Sequence, residues 1–142
     1  MSTCRSLLLA VVALLVAVPS SPAQRRQCSE TEEQHAEAQA ETLRSWDDLY
    51  RSYTIFRQCD DGAIWEGYSE SVARILVDHW VTLPRLAQLA RKDKGFQRFV
   101  LKHVDETISG DDARRIEANA EHACPTLLRH LCDDLVQQAK PR

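Results

Sequence analysis

The sequence predicts an all-α protein: a single compact bundle of five or six helices held by two disulfides. Three observations carry this. Apolar residues recur three or four apart along most of the chain, the spacing that lines up one face of a helix. No stretch alternates with period two for long enough to make a strand. Gly and Pro number only four and five in 142 residues, while charged residues make up 27%. That composition fits a helical protein better than a disordered or β-rich one.

The first 23 residues stand apart from this pattern. Arg5 supplies a positive start, residues 7–18 form an unbroken apolar run, and Ser21, Pro22 and Ala23 put small residues where a leader is cut. The run is short of the ~20 apolar residues a bilayer span needs. Residues 1–23 therefore read as a secretory signal peptide and residues 24–142 as one helical domain, with no membrane span in the mature form. The expected location is the periplasm or the extracellular space. The leader carries Arg5 and no acid, so its loss takes the formal charge from −3 to −4. A mildly acidic domain lacks the basic footprint of a nucleic-acid binder, and no nucleic-acid partner is expected.

The elements follow in order. Ser29 with Glu32 makes a capping-box pattern, and residues 30–58 carry no Gly or Pro to stop a helix. Leu43, Trp46, Tyr50, Tyr53 and Phe56 form its stripe, which begins only halfway along; the earlier half is polar and alanine-rich. Asp60, Asp61 and Gly62 break the pattern and offer a cap. A second helix is expected over residues 63–80, with Ile64, Tyr68, Val72, Ile75, Leu76, His79 and Trp80 inward. Thr82 and Pro84 mark a restart, giving a short helix on Leu86 and Leu89. After a turn at residues 93–95, Phe96, Phe99, Val100 and Val104 carry the next. A capped start at residues 109–112 leads to a thin face of Ala113, Ile116, Ala120 and Ala123. Cys124 and Pro125 end it, and Leu128, Leu131 and Leu135 define the last helix before the basic Lys140 and Arg142.

Cys28, Cys59, Cys124 and Cys132 are an even set in an oxidising compartment and read as two disulfides. If residues 31–58 are one helix, Cys28 and Cys59 sit ~40 Å apart, beyond the ~7 Å a bridge allows. That leaves Cys28–Cys124 with Cys59–Cys132, or Cys28–Cys132 with Cys59–Cys124. Cys28–Cys59 returns only if the polar half of the first helix turns back. No C-x-x-C occurs, so zinc is disfavoured, and no metal or other cofactor is expected.

Catalytic candidates are few. The five histidines make no H-x-x-x-H pattern. His79 beside Asp78 and His103 near Asp105 are the candidates for a His–carboxylate couple, with a serine drawn from elsewhere in the chain; a satisfied helical histidine is the commoner outcome. Gly67 to Ser71 superficially resembles a nucleophile elbow but lacks its second glycine and the preceding strand, and reads as helix surface. The pairs Asp60–Asp61 and Asp111–Asp112 read as helix caps, where the dipole favours negative charge. Trp65 lies off the inner stripe of its helix, a position from which it can anchor an interface.

Two charge blocks remain. Acids crowd the front of the first helix, and Glu33, Glu37, Glu41 and Asp48 are the candidate binding residues for a partner of opposite charge. Arg85, Arg91, Lys92, Lys94, Arg98 and Lys102 make the middle of the chain basic.

The segments Cys59-Asp60-Asp61-Gly62-Ala63-Ile64, Phe99-Val100-Leu101-Lys102-His103-Val104-Asp105 and Cys124-Pro125 resemble those of a group of small secreted proteobacterial proteins, a likeness covering residues 46–132. In architecture the chain is also similar to the periplasmic immunity proteins that neutralise type VI secretion amidase toxins. The resemblance implies a bacterial source and hence the periplasm. The missing catalytic constellation and the acidic flank of a rigid, disulfide-held scaffold lead to the expectation of a non-enzymatic protein-binding or inhibitor function, as in an immunity protein. The alternative is an envelope structural protein or a helical binder of small molecules.

Overall fold

Ser29 starts the first helix as its sequence promises. Its hydroxyl accepts from the Glu32 N–H while the Glu32 carboxylate accepts from the Ser29 N–H, a complete capping box. The computed structural model describes residues 27–140; the leader assigned to residues 1–23 and the basic Arg142 lie outside them. Among the described residues there are seven α-helices and no strand: α1 Glu30–Ala40, α2 Trp46–Phe56, α3 Gly62–Asp78, α4 Leu83–Lys92, α5 Lys94–Lys102, α6 Gly110–His122 and α7 Arg129–Ala139. Short 3₁₀ turns at Arg57–Cys59, Trp80–Thr82 and Thr126–Leu128 join them. The all-α expectation holds, with seven helices rather than five or six. No described helix is long and apolar enough to cross a membrane.

The extra helix comes from the N-terminal hairpin. The continuous helix expected over residues 30–58 is two helices, because the chain leaves helical geometry after Glu41 and restarts at Ser45. Ser45 accepts from the Asp48 N–H and its hydroxyl bonds the Asp48 carboxylate at 2.7 Å. Acceptors of this kind satisfy the N–H groups that a new helix leaves unpaired.

The hairpin corrects both proposed disulfide pairings. With α2 folded back on α1, Cys28 and Cys59 come to a Cα separation of 4.9 Å and are bridged, and Cys124 bonds Cys132 at 6.2 Å. The 40 Å estimate held only for an unbroken rod. Neither Cys28–Cys124 nor Cys28–Cys132 forms.

α3 is the hub. Ten of its seventeen residues are buried, including Tyr68, Val72, Ile75 and Leu76, so its neighbours pack on most of its circumference. A helix wrapped in this way buries small polar residues as well as apolar ones, and each has a partner here. Ser52 and Tyr68 share a hydrogen bond of 2.8 Å, and Ser71 donates to the Ala40 carbonyl at 2.6 Å. The Gly67–Ser71 segment expected on the helix surface is instead mostly interior; only Glu70 is exposed. α3 begins at Gly62, whose φ of +51° favours glycine, and Asp61 accepts from the Gly62 N–H. It ends earlier than residue 80, where Trp80–Thr82 tighten into a 3₁₀ turn. His79 is consequently exposed, contrary to its expected inward position, and Trp80 is half-buried with its indole N–H donating to the Ala123 carbonyl.

Tyr53, Phe96, Phe99 and Tyr68 form an aromatic cluster with ring centroids 4.9–5.3 Å apart along the chain of contacts, in the edge and tilted arrangements such rings prefer. Asp93 caps α5 by accepting from the N–H groups of Gly95 and Phe96. Arg85 of α4 grips Asp47 of α2 with both arms of its guanidinium, and those hydrogen bonds hold the Asp47 carboxyl below its usual range.

Candidate functional site

Close packing of α1 on α3 creates the main recess. A Cβ added to Gly67 would lie 2.8 Å from Ala40 Cβ and 3.0 Å from the Glu41 nitrogen, so glycine is what lets the two helices approach. Their ends are then fastened: Ser71 bonds Ala40, and Arg74 donates to the Glu41 carbonyl at 2.9 Å while reaching Glu70 at 2.8 Å. Long acidic side chains flank this narrow seam. Glu37 of α1 and Glu41 just after it stand on one side, Glu66 and Glu70 of α3 on the other, and Thr107, Ile108, Ser109 and Asp112 close the third. The result is a groove of about 820 Å³ whose lining holds five carboxylates, of which Glu70 and Asp112 are paired from outside it by Arg74 and Arg115. Low-dielectric walls with charges of one sign concentrate the potential in such a groove and favour cations.

The four acids proposed from sequence divide between two places. Glu37 and Glu41 line the groove. Glu33 joins Glu37 in an adjoining hollow of about 360 Å³ beside the Cys28–Cys59 bridge, so it extends the same acidic strip. Asp48 does not belong to it; it sits at the start of α2, bonded by Ser45 and paired with Arg51 at 3.3 Å. Sequence reasoning missed Glu66, Glu70 and the groove-facing role of Asp112. The first two are one helical turn apart and flank Gly67, a signal that glycine and acids share one face. Asp112, at the N-terminal turn of α6, also bonds the cap residue Ser109.

The histidine candidates resolve differently. His103 is fully buried, with Ser69 Oγ 2.9 Å from Nδ1 and Asp60 Oδ1 3.3 Å from Nε2. These are the residue types of a Ser–His–Asp triad, and the serine was not identified from the sequence. The Nε2 and Oδ1 atoms are close but out of hydrogen-bond alignment. The group is sealed by Trp65, Phe99 and Tyr68, whose rings lie 4.3, 4.4 and 5.7 Å from the imidazole. Both Ser69 and His103 lack the exposure a substrate requires. Asp60 thus faces His103, and only Asp61 of that pair acts as the expected cap. Asp105, the carboxylate expected to serve His103, instead accepts from the Trp65 indole at 2.8 Å and from Thr107. Trp65 is half-buried rather than free, and Lys102 lies 4.4 Å above its ring.

Among the described residues no three His, Cys, Asp or Glu side chains converge as metal ligands. No protein family, curated protein or solved structure matches the chain.

Proposed function

We propose that the protein is a non-enzymatic binding or inhibitor protein of the extracytoplasmic space, of the kind represented by immunity proteins against secreted toxins. Its acidic groove takes a basic segment of a protein partner. The groove between α1, α3 and the start of α6 supports this reading: five carboxylates line one recess, and Glu37, Glu41 and Glu66 among them make no ion pair with a described residue. Complementary charge of this kind steers encounter and selects partners. The disulfide beside the adjoining hollow and the Gly67–Ala40 contact hold the two acidic helices rigidly, which lowers the ordering cost of binding. The leader in residues 1–23 and the two disulfides support a periplasmic or secreted location.

Affinity capture from a periplasmic extract at low salt tests this. The wild-type chain is expected to retain a stoichiometric basic protein, and Glu66→Lys with Glu70→Lys to lose it. Recovery of no partner, or of one the variant holds equally well, overturns the reading. A second reading, small-molecule binding, is favoured by an adjoining hollow of about 620 Å³ that shares Ile108 with the groove and is also lined by Ala113 and Ala139, a volume in the range of ligand pockets. A bound compound in mass spectra of the native protein would decide for it.

A further inference from the structure

The basic block of the sequence is not absorbed by the acidic groove. α5 turns Phe96, Phe99 and Val100 into the core. Lys94, Arg98 and Lys102 follow one another at four-residue steps on the outward side, a row of about 12 Å. Arg91 and Lys92 end α4 just before the Asp93 cap, two to three residues from Lys94 in sequence. All five side chains are exposed.

Their charge is not neutralised locally. Arg51, Arg74, Arg85, Arg114 and Arg115 each hold a carboxylate. Arg91, Lys92, Lys94, Arg98 and Lys102 make no ion pair with a described residue. Lys94 bonds only the Gln97 amide and Lys102 lies over Trp65. Asp47, the carboxylate that senses Lys92, is already gripped by Arg85.

The only aromatic described at this surface is the half-buried Trp65 beneath Lys102, and no exposed large apolar residue stands beside the row. Interface energy concentrates in buried aromatic or apolar anchors, and the exposed large apolar residues, Ile55, Val81 and Leu127, lie on neither α4 nor α5. A row of cations without an exposed apolar anchor instead suits a planar array of negative charges, where attraction is summed charge by charge. We propose that the outward face of α4 and α5 docks on an anionic phospholipid surface. The acidic groove is lined by α1, α3 and residues 107–112, so the two surfaces share no residue.

Vesicle co-sedimentation of the full chain tests the proposal. At low salt the protein is expected to partition onto vesicles containing phosphatidylglycerol, to stay off pure phosphatidylcholine, and to be released by high salt. Lys94→Gln, Arg98→Gln and Lys102→Gln together should weaken partitioning by about 100-fold, at roughly fivefold per charge. Glu66→Gln with Glu70→Gln should leave it intact, which separates this outcome from any failure of the groove reading. Equal binding to neutral vesicles, insensitivity to the triple substitution, no binding at low salt, or tighter binding to duplex DNA than to the anionic vesicles would each overturn it. All three substituted side chains are exposed, and circular dichroism checks that the variant remains folded.

Discussion

Asp60 meets His103 in the interior, its Oδ1 lying 3.3 Å from Nε2. It joins the link between the Arg57–Cys59 turn and α3 to the first residue after α5. Removing the imidazole would open a void among Trp65, Tyr68 and Phe99 and leave the buried Ser69 hydroxyl without its partner. Voids and orphaned polar groups each cost of order 1–3 kcal/mol. His103→Ala is therefore expected to lower stability by about 3 kcal/mol in urea unfolding. Asp60→Asn, which keeps the shape, should cost less. A loss below about 1 kcal/mol for His103→Ala would show that the cluster is held by other contacts.

Acid unfolding reports on Asp105. Burial pushes its carboxyl up, but bonds from the Thr107 hydroxyl and N–H and from the Trp65 indole outweigh burial and hold it below the usual range. A carboxyl lowered by folding stabilises the protein above its unfolded value near 3.9 and loses that contribution as pH falls through its folded value. Wild type should therefore exceed Asp105→Asn in stability by a constant margin above about pH 5, and the margin should shrink as the pH drops further. A margin independent of pH would show that the carboxylate charge is not what the loop uses.

Gly67→Ala tests the seam between α1 and α3. The new methyl meets Ala40 Cβ and the Glu41 backbone, neither of which has a flexible end to swing away. Overpacking of this kind costs about 1–3 kcal/mol. The thermal midpoint should fall, and capture of the groove's partner should weaken because the two acidic walls separate. An unchanged midpoint would show that α1 shifts at no cost.

The two disulfides should contribute unequally. One spans 31 residues of sequence and the other eight. Chain-entropy scaling gives the longer loop about 1 kcal/mol more stabilisation. Replacing Cys28 and Cys59 by Ser should lower the urea midpoint further than replacing Cys124 and Cys132. The reverse order would locate strain or extra packing in the N-terminal hairpin.

Much of the helical order was legible because it rests on local signals. Ser29, Asp61, Asp93 and Ser109 cap the helices they precede, and the stripe on α3 keeps its register from Ile64 to Leu76. The break at residues 41–45 was harder. It contains neither Gly nor Pro, so propensity alone continues the helix. Two weaker signs were present: the apolar stripe starts only at Leu43, and Ser45 stands three residues before Asp48. The groove was half legible, since Glu37 and Glu41 are local to α1 while Glu66, Glu70 and Asp112 join them only through tertiary packing. The same holds for His103. Its partners Ser69 and Asp60 lie 34 and 43 residues away, a separation that no periodicity spans.

The order of the bridges bears on how the molecule is made. Among the described residues each cysteine is joined to its immediate neighbour in the sequence, and neither loop encloses or crosses the other. An oxidant that couples thiols in the order they emerge from a channel produces the native pattern directly. If the chain is exported as proposed, its two bridges are expected to form without reshuffling by an isomerase.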